Sequence, residues 1–215
     1  MDVVEPPEDY DGTANFYRIE AGTVVYRVHR ATRQATKFNT TLVRSPFRGG
    51  RFDATPDDQY GYLYAGTSRT TALAERLLRD VPFDSKGERL LPRSMVAGLA
   101  LSRVVVTVDL VLLALVETPD LAAVAQTPAL VQSGDYVRTR YCGHWLRSRF
   151  RRAQGFIWQS NRDIPHRTLV LFDDRGDAAD ALARSADGPF PLDTPEGIDE
   201  VNRVLEPYNV GMEPA

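Results

Sequence analysis

Gly61-Tyr62-Leu63-Tyr64-Ala65-Gly66-Thr67-Ser68 runs directly into Arg69-Thr70-Thr71-Ala72-Leu73-Ala74-Glu75-Arg76-Leu77-Leu78. The first half predicts a strand over 61–65 with Tyr62 and Tyr64 pointing the same way, because successive strand side chains alternate between sheet faces. Ser68 stands where an N-cap belongs, since its hydroxyl can accept from the free backbone amides of a first helical turn. The helix that follows sets Leu73, Leu77 and Leu78 on its apolar stripe. Glu75 falls at the border of that stripe. A carboxylate there is either half buried beside a cleft or solvated, and periodicity does not choose between the two.

Upstream, Val24, Tyr26 and Val28 alternate with Val25, Arg27 and His29, a second strand that puts Arg27 and His29 on one face. Gly49-Gly50 ends a basic segment, and Arg51 to Asp53 reads as a short extended piece. Downstream, Met95 to Leu101 and Val104 to Val111 read as strands rich in β-branched and aliphatic residues, and Thr118-Pro119-Asp120 opens a helix. A helix over Tyr136 to Phe150 precedes strands at Gly155 to Ser160 and Thr168 to Phe172. Thr194-Pro195-Glu196 starts a last helix that uses Ile198, Val201 and Leu205. There is no internal repeat and no regular βαβ alternation, so the expected class is α+β, with mixed or antiparallel sheets and flanking helices. Residues 1–22 are polar and carry Pro6 and Pro7, and are expected to form an extended N-terminal arm. Residues 23–175 would then be the folded domain, and 176–215 a C-terminal helical extension packed on it.

At 215 residues with 43% hydrophobic content the chain can bury a real core. A net charge of −3 gives no overall basic field, so broad attachment to nucleic acid or anionic lipid is disfavoured. A lone cysteine, Cys142, makes no internal disulfide, and no Cys/His cluster has metal-ligand spacing; this suits a reducing, cytoplasmic setting. The acidic, proline-bearing start lacks the pattern of a secretory signal. Val104 to Val116, interrupted by Asp109, is too short for the roughly 20 residues of a membrane helix. No membrane or metal is expected.

Five elements in this order carry a family signal: Tyr26-Arg27, Gly50-Arg51-Phe52, Leu63-Tyr64-Ala65, Ala72-Leu73-Ala74-Glu75 and Ser160. Over roughly Val24 to Phe172 the chain resembles the RES domain family, named for its arginine, glutamate and serine. The resemblance implies an ADP-ribosyltransferase-like fold and consumption of NAD as a substrate, with no separate cofactor. The acceptor would be water, inorganic phosphate or a protein. It also implies a role as the toxin of a bacterial toxin–antitoxin pair, with an Xre-type antitoxin partner that carries any DNA contact. Two departures from the family pattern are Asp53, where asparagine is common, and Gln159, where proline is frequent.

The residue types suit that chemistry. Loss of nicotinamide leaves positive charge on the ribose, which a carboxylate stabilises; Glu75 is assigned this role. Arg27 and Arg51 are assigned to the pyrophosphate, because a guanidinium binds such oxygens through paired, charge-assisted hydrogen bonds. Tyr64 is expected to stack on nicotinamide and to orient it through its hydroxyl, and Ser160 to hydrogen-bond the ribose or the amide. The catalytic set is therefore Glu75, Arg27 and Ser160, with Arg51, Tyr64 and His29 as further NAD-binding residues. His29 reads equally as a hydrogen-bonded strand histidine.

Three alternatives stand beside NAD hydrolysis or phosphorolysis: protein ADP-ribosylation, a noncatalytic nucleotide-binding module, and RNA binding. The last would use Arg138 to Arg152, where six arginines interleave with Tyr141, Trp145 and Phe150. Helical spacing gathers Arg140, Arg147 and Arg151 on one side and Tyr141, Cys142, Trp145 and Leu146 on another, which reads as an amphipathic helix with a solvated basic face.

Overall fold

The structure, a computed structural model, describes residues 2–46, 48–79 and 81–212. β1 (Phe16–Ile19), β2 (Val24–Arg30) and β3 (Tyr62–Gly66) precede α1 (Arg69–Leu77), and β4 (Arg89–Leu91) follows it. Then come β5 (Leu99–Val106), β6 (Leu110–Leu115), α2 (Thr118–Ala123), α3 (Ala129–Gln132) and α4 (Tyr136–Arg149). β7 (Gly155–Gln159), β8 (Arg167–Phe172), β9 (Leu182–Arg184) and β10 (Phe190–Pro191) lead to α5 (Pro195–Leu205) and β11 (Val210–Met212). The main sheet runs β1-β6-β7-β8-β3-β2-β5-β10, with β9 also on β5, and β4 pairs with β11 apart from it. β6 with β7 and β4 with β11 are parallel and the other pairs antiparallel, so the α+β expectation holds as a mixed sheet with helices around it.

One short connection sets the shape. Four strands lie between β6 and β5 in the sheet order, which in a flat sheet would separate them by about 24 Å. Yet Leu110 is only four residues after Val106, a chain length of at most about 14 Å. The sheet therefore has to curl. Val25, Leu63, Val104, Val106, Leu110, Leu112, Ile157, Leu169 and Leu171 share one core cluster. The alternate residues Leu113, Phe156, Trp158, Val170 and Phe172 share a second with Leu130, Cys142 and Leu146 from α3 and α4. A third packs α1 against α5 through Leu73, Leu77, Ile198, Val201 and Leu205.

Several expected boundaries move. The segment expected as an arm supplies β1, which pairs with β6 and buries Ile19, because β6 would otherwise present an unpaired edge. Arg51–Asp53 is not extended: residues 51 and 52 form a turn, and the Phe52 amide donates to the Tyr64 hydroxyl rather than to a neighbouring strand. The strands read at 95–101 and 104–111 are one strand over 99–106 and another over 110–115, and residues 93–95 form a 3₁₀ turn. Gly98, at φ +65°, supplies the bend into β5. The helix read at Thr118 is capped one residue earlier, by Glu117, whose side chain and that of Asp120 form a capping box. The C-terminal segment holds the expected α5, capped by Thr194, and in addition β9, β10 and β11.

Candidate functional site

The strand-to-helix passage expected at 61–78 forms as β3 and α1. The Ser68 hydroxyl accepts from the Thr71 amide, and Gly66 permits the close approach, since a Cβ there would lie 2.8 Å from the Ala72 nitrogen. β2, β3, α1, the loop at 49–53 and the turn after β7 surround a cleft of about 480 Å³. Arg27, Arg51, Tyr64 and Glu75 all line it. Ser160 and His29 do not.

Glu75 is half-buried at the cleft wall. Its Oε1 accepts a 2.6 Å hydrogen bond from the Ser160 hydroxyl, and its Oε2 lies 3.8 Å from Nη1 of Arg162. Ser160 is fully buried behind Glu75. Its Oγ also accepts from the amides of Arg162 (3.2 Å) and Asp163 (3.1 Å), so it fixes the carboxylate rather than facing a ligand.

The turn that carries Ser160 is tied to α1 through Asp163. This buried carboxylate accepts from Thr71 Oγ1 (2.5 Å) and Ser68 Oγ (3.2 Å) at the start of α1, and also from Tyr208 and His166. Burial works against its charge, but the donors on Thr71, Tyr208 and His166 outweigh it and hold the carboxyl below its ordinary value. A depressed carboxylate stabilises the fold above its unfolded pKa and loses that contribution as pH falls through the folded value. Asp163→Asn is therefore expected to cost about 1–3 kcal/mol at neutral pH. In urea titrations the gap between variant and wild type should close as pH drops below about 4. A gap independent of pH would refute the role of its charge.

Arg27 donates from Nη1 to the carbonyls of Ala35 (2.6 Å) and Lys37 (2.8 Å). Burial, helped by Arg33, lowers its pKa to about 10, which leaves it charged at neutral pH. Arg51 donates from Nη1 to the carbonyls of Leu130 (2.9 Å) and Ser133 (2.8 Å), and its guanidinium lies 5.4 Å from the centre of the Tyr136 ring. Arg79 covers Tyr136 at 4.2 Å and binds the Gly49 carbonyl at 2.6 Å. Arg76, Arg79 and Arg162 also line the cleft, so five arginines face two carboxylates, Glu75 and Asp53.

Asp53 is spoken for within the protein, accepting from the Gly50 amide (2.7 Å) and the Tyr64 hydroxyl (2.9 Å). Gly50 is needed for this contact because a Cβ would lie 2.7 Å from Asp53 Oδ1. One expectation changes with it. The Tyr64 hydroxyl is engaged on both sides, since it also accepts from the Phe52 amide at 2.9 Å. Burial and then Asp53 push its pKa far up, so it stays neutral. What Tyr64 offers the cleft is its ring, edge-on to Tyr62 at 5.9 Å and to Trp158 at 6.3 Å.

His29 takes the plainer of its two readings. Its Nδ1 meets the Arg30 carbonyl at 2.9 Å and its Nε2 the Ser102 hydroxyl at 2.8 Å, and burial, more than the opposing Arg30 contact, keeps it below its ordinary pKa.

The basic helix is a correction. In α4, Arg140 and Arg147 are buried while Tyr141 is 63% exposed, the reverse of the expected solvated face. Arg140 donates to the carbonyls of Arg48 (3.0 Å), Gly50 (3.3 Å) and Pro46 (3.3 Å), which braces the loop at the cleft mouth. Arg147 serves two aspartates under an aromatic lid. Residue types alone sorted these arginines to solvent, whereas hydrogen-bond acceptors brought by distant segments drew them inward. Arg140 and Arg147 are thereby withdrawn from the basic face on which RNA binding rested, while Arg138, Arg149, Arg151 and Arg152 stay exposed.

Arg76, Arg79, Tyr136, Asn161 and Arg162 were not singled out from the sequence. Arg79 had a signal, since the four-residue spacing from Glu75 would bring the two together if the helix ran on, although α1 ends at Leu77.

A family model described as the RES domain matches residues 24–193. The match runs past β8, where the sequence resemblance ended, and takes in β9 and β10. The search of curated proteins gives no match. Among solved structures, the chain is similar to one in the crystal structure of the M. tuberculosis MbcT–MbcA toxin–antitoxin complex. The identity is 19% and the TM-score 0.54, over 78% of this chain and 84% of that one. At that identity the likeness speaks for a shared fold.

Proposed function

The chain belongs to the RES domain family, and from that premise we propose that it cleaves the nicotinamide–ribose bond of NAD and acts as the toxin of a toxin–antitoxin pair. One observation carries the chemistry: a single cleft holds five arginines, an aromatic wall and two carboxylates, of which Asp53 is engaged by Gly50 and Tyr64 and Glu75 is fixed from behind by a buried serine. The arginines match the two charges of a pyrophosphate. The rings of Tyr64 and Trp158 give the flat nicotinamide a surface to lie against. As the C1′–N bond breaks, its electron pair leaves with nicotinamide, which becomes neutral. The cationic sugar that remains is stabilised by the Glu75 carboxylate until an acceptor oxygen adds.

With water the products are nicotinamide and ADP-ribose, and with phosphate they are nicotinamide and ADP-ribose 1-phosphate, the attacking oxygen giving up a proton in either case. The toxin reading is supported by family membership and by the fold shared with a chain of a toxin–antitoxin complex. An antitoxin of Xre type would restrain the enzyme by covering the cleft.

Purified protein incubated with NAD is expected to release nicotinamide, and chromatography with and without phosphate identifies the acceptor. An ADP-ribose adduct on a protein would make the activity a transfer. Intact NAD with phosphate, without it, and with a candidate protein acceptor present would end the proposal.

A further inference from the structure

A second cavity, of about 650 Å³, lies against the first and shares Arg51, Arg79, Tyr136, Asn161 and Arg162 with it as common walls. Arg89 from β4, Phe83 and the 207–209 turn close its far side. Four arginines, at 51, 79, 89 and 162, line this space, and no aspartate or glutamate among the described residues does so. Arg162 has a counter-charge across the shared wall, Glu75 at 3.8 Å; cations gathered in a concave site repel one another, and an anion inside it relieves this.

The hydrogen bonds point the same way. Nε of Arg89 and Nε of Arg162 are both buried with no partner among the described residues. A buried donor left unpaired carries a cost, so neither guanidinium has its hydrogen-bonding capacity filled by the described residues. The guanidinium of Arg89 is held in place by stacking at 3.8 Å on Phe83, a ring otherwise 54% exposed, while Nη2 of Arg162 is anchored on the Arg79 carbonyl at 2.9 Å. Both are thus orientated before a ligand arrives.

We propose that this second cavity is a phosphate site, distinct from the cleft that holds Glu75, taking either free inorganic phosphate or a phosphate group carried by a bound nucleotide. Oxyanion recognition stands on the cavity alone. Any part in the reaction, as the reservoir of an acceptor phosphate or as the grip on one end of a dinucleotide, rests on the NAD-cleaving reading.

The test begins without NAD, titrating the full chain with inorganic phosphate by calorimetry. Saturable binding is expected, and Arg89→Gln should weaken it by about tenfold or more, the range for losing a charge-assisted hydrogen bond. Arg89→Lys, which keeps the charge without the stacked fork, should weaken it less, and circular dichroism confirms that both variants are folded. Arg27→Gln alters the first cleft only, so it removes any phosphate held there and should leave the binding that depends on Arg89 in place. The same titration with NAD then separates the two sources. Weaker binding of phosphate alone in Arg89→Gln assigns the site to free phosphate, and weaker binding of NAD as well assigns it to a nucleotide's phosphate. Phosphate binding that Arg89→Gln leaves untouched, or that Arg27→Gln abolishes, overturns the proposal. If the wild type neither binds nor cleaves NAD, the proposed function fails while the phosphate titration still decides this site.

Discussion

Glu75→Gln is expected to lower kcat for NAD cleavage by about 10²–10³-fold, the usual loss when one preorganised electrostatic contact to the transition state is removed. The amide has nearly the same shape and still accepts from the Ser160 hydroxyl, so the geometry survives and only the charge goes. KM for NAD should change little, because the arginines that grip the phosphates are untouched. Arg27→Gln gives the opposite signature, a raised KM with a smaller loss in kcat. Ser160→Ala lies between the two in cause. It leaves Glu75 charged but takes away the 2.6 Å donor that aims it, so kcat should fall by about tenfold with KM held. Single-turnover nicotinamide release and growth inhibition on induction both report the loss. Undiminished turnover in Glu75→Gln would show that the carboxylate does not face the bond that breaks.

Part of this site was legible because its information is local. Tyr62 and Tyr64 share a face through strand alternation, Ser68 caps α1 within three residues, and Glu75 follows from the helix phase. Ser160 was found only through the family order of residues, and its role could not be read that way: whether a serine faces a ligand or supports a carboxylate depends on packing between β7 and α1, which lie 85 positions apart at the contact. His29 shows the same limit, since the Ser102 hydroxyl that occupies it comes from β5. The curl of the sheet became visible only with the strand order, because the short 107–109 link is unremarkable until β5 and β6 are known not to pair. The largest misreading concerned α4, where a helical wheel ranks side chains by type. Arg140 and Arg147 look solvent-facing on such a wheel, and only the carbonyls at 46, 48 and 50 and the aspartates at 58 and 174 reveal why they are inside.

Arg147→Met carries the largest expected effect on stability. Arg147 is 2% exposed; its guanidinium donates from Nε to Asp58 at 2.9 Å and meets both oxygens of Asp174 at 3.3 and 2.9 Å. It also lies 3.5 Å from the centre of the Tyr60 ring and 4.3 Å from that of Phe172. Burial opposes the charge, but the hydrogen bonds to Asp174 and Asp58 and the field of Tyr60 hold its pKa above the ordinary value. Breaking a buried pair by removing one partner costs about 3–5 kcal/mol, chiefly because the remaining charges stay unpaired. Here the low end applies, since Asp58 and Asp174 are 28% and 40% exposed and can regain water. A loss of about 3 kcal/mol corresponds to a fall in Tm of about 6–12 °C for a domain of this size. Adding Asp58→Asn and Asp174→Asn to Arg147→Met should return part of the loss, because no uncompensated carboxylate is then left. NAD turnover measured well below the new Tm should stay near wild type, since Arg147 lies outside both cavities. A basic face made for RNA would behave otherwise: Tm would hold, and a salt-sensitive RNA complex would weaken instead.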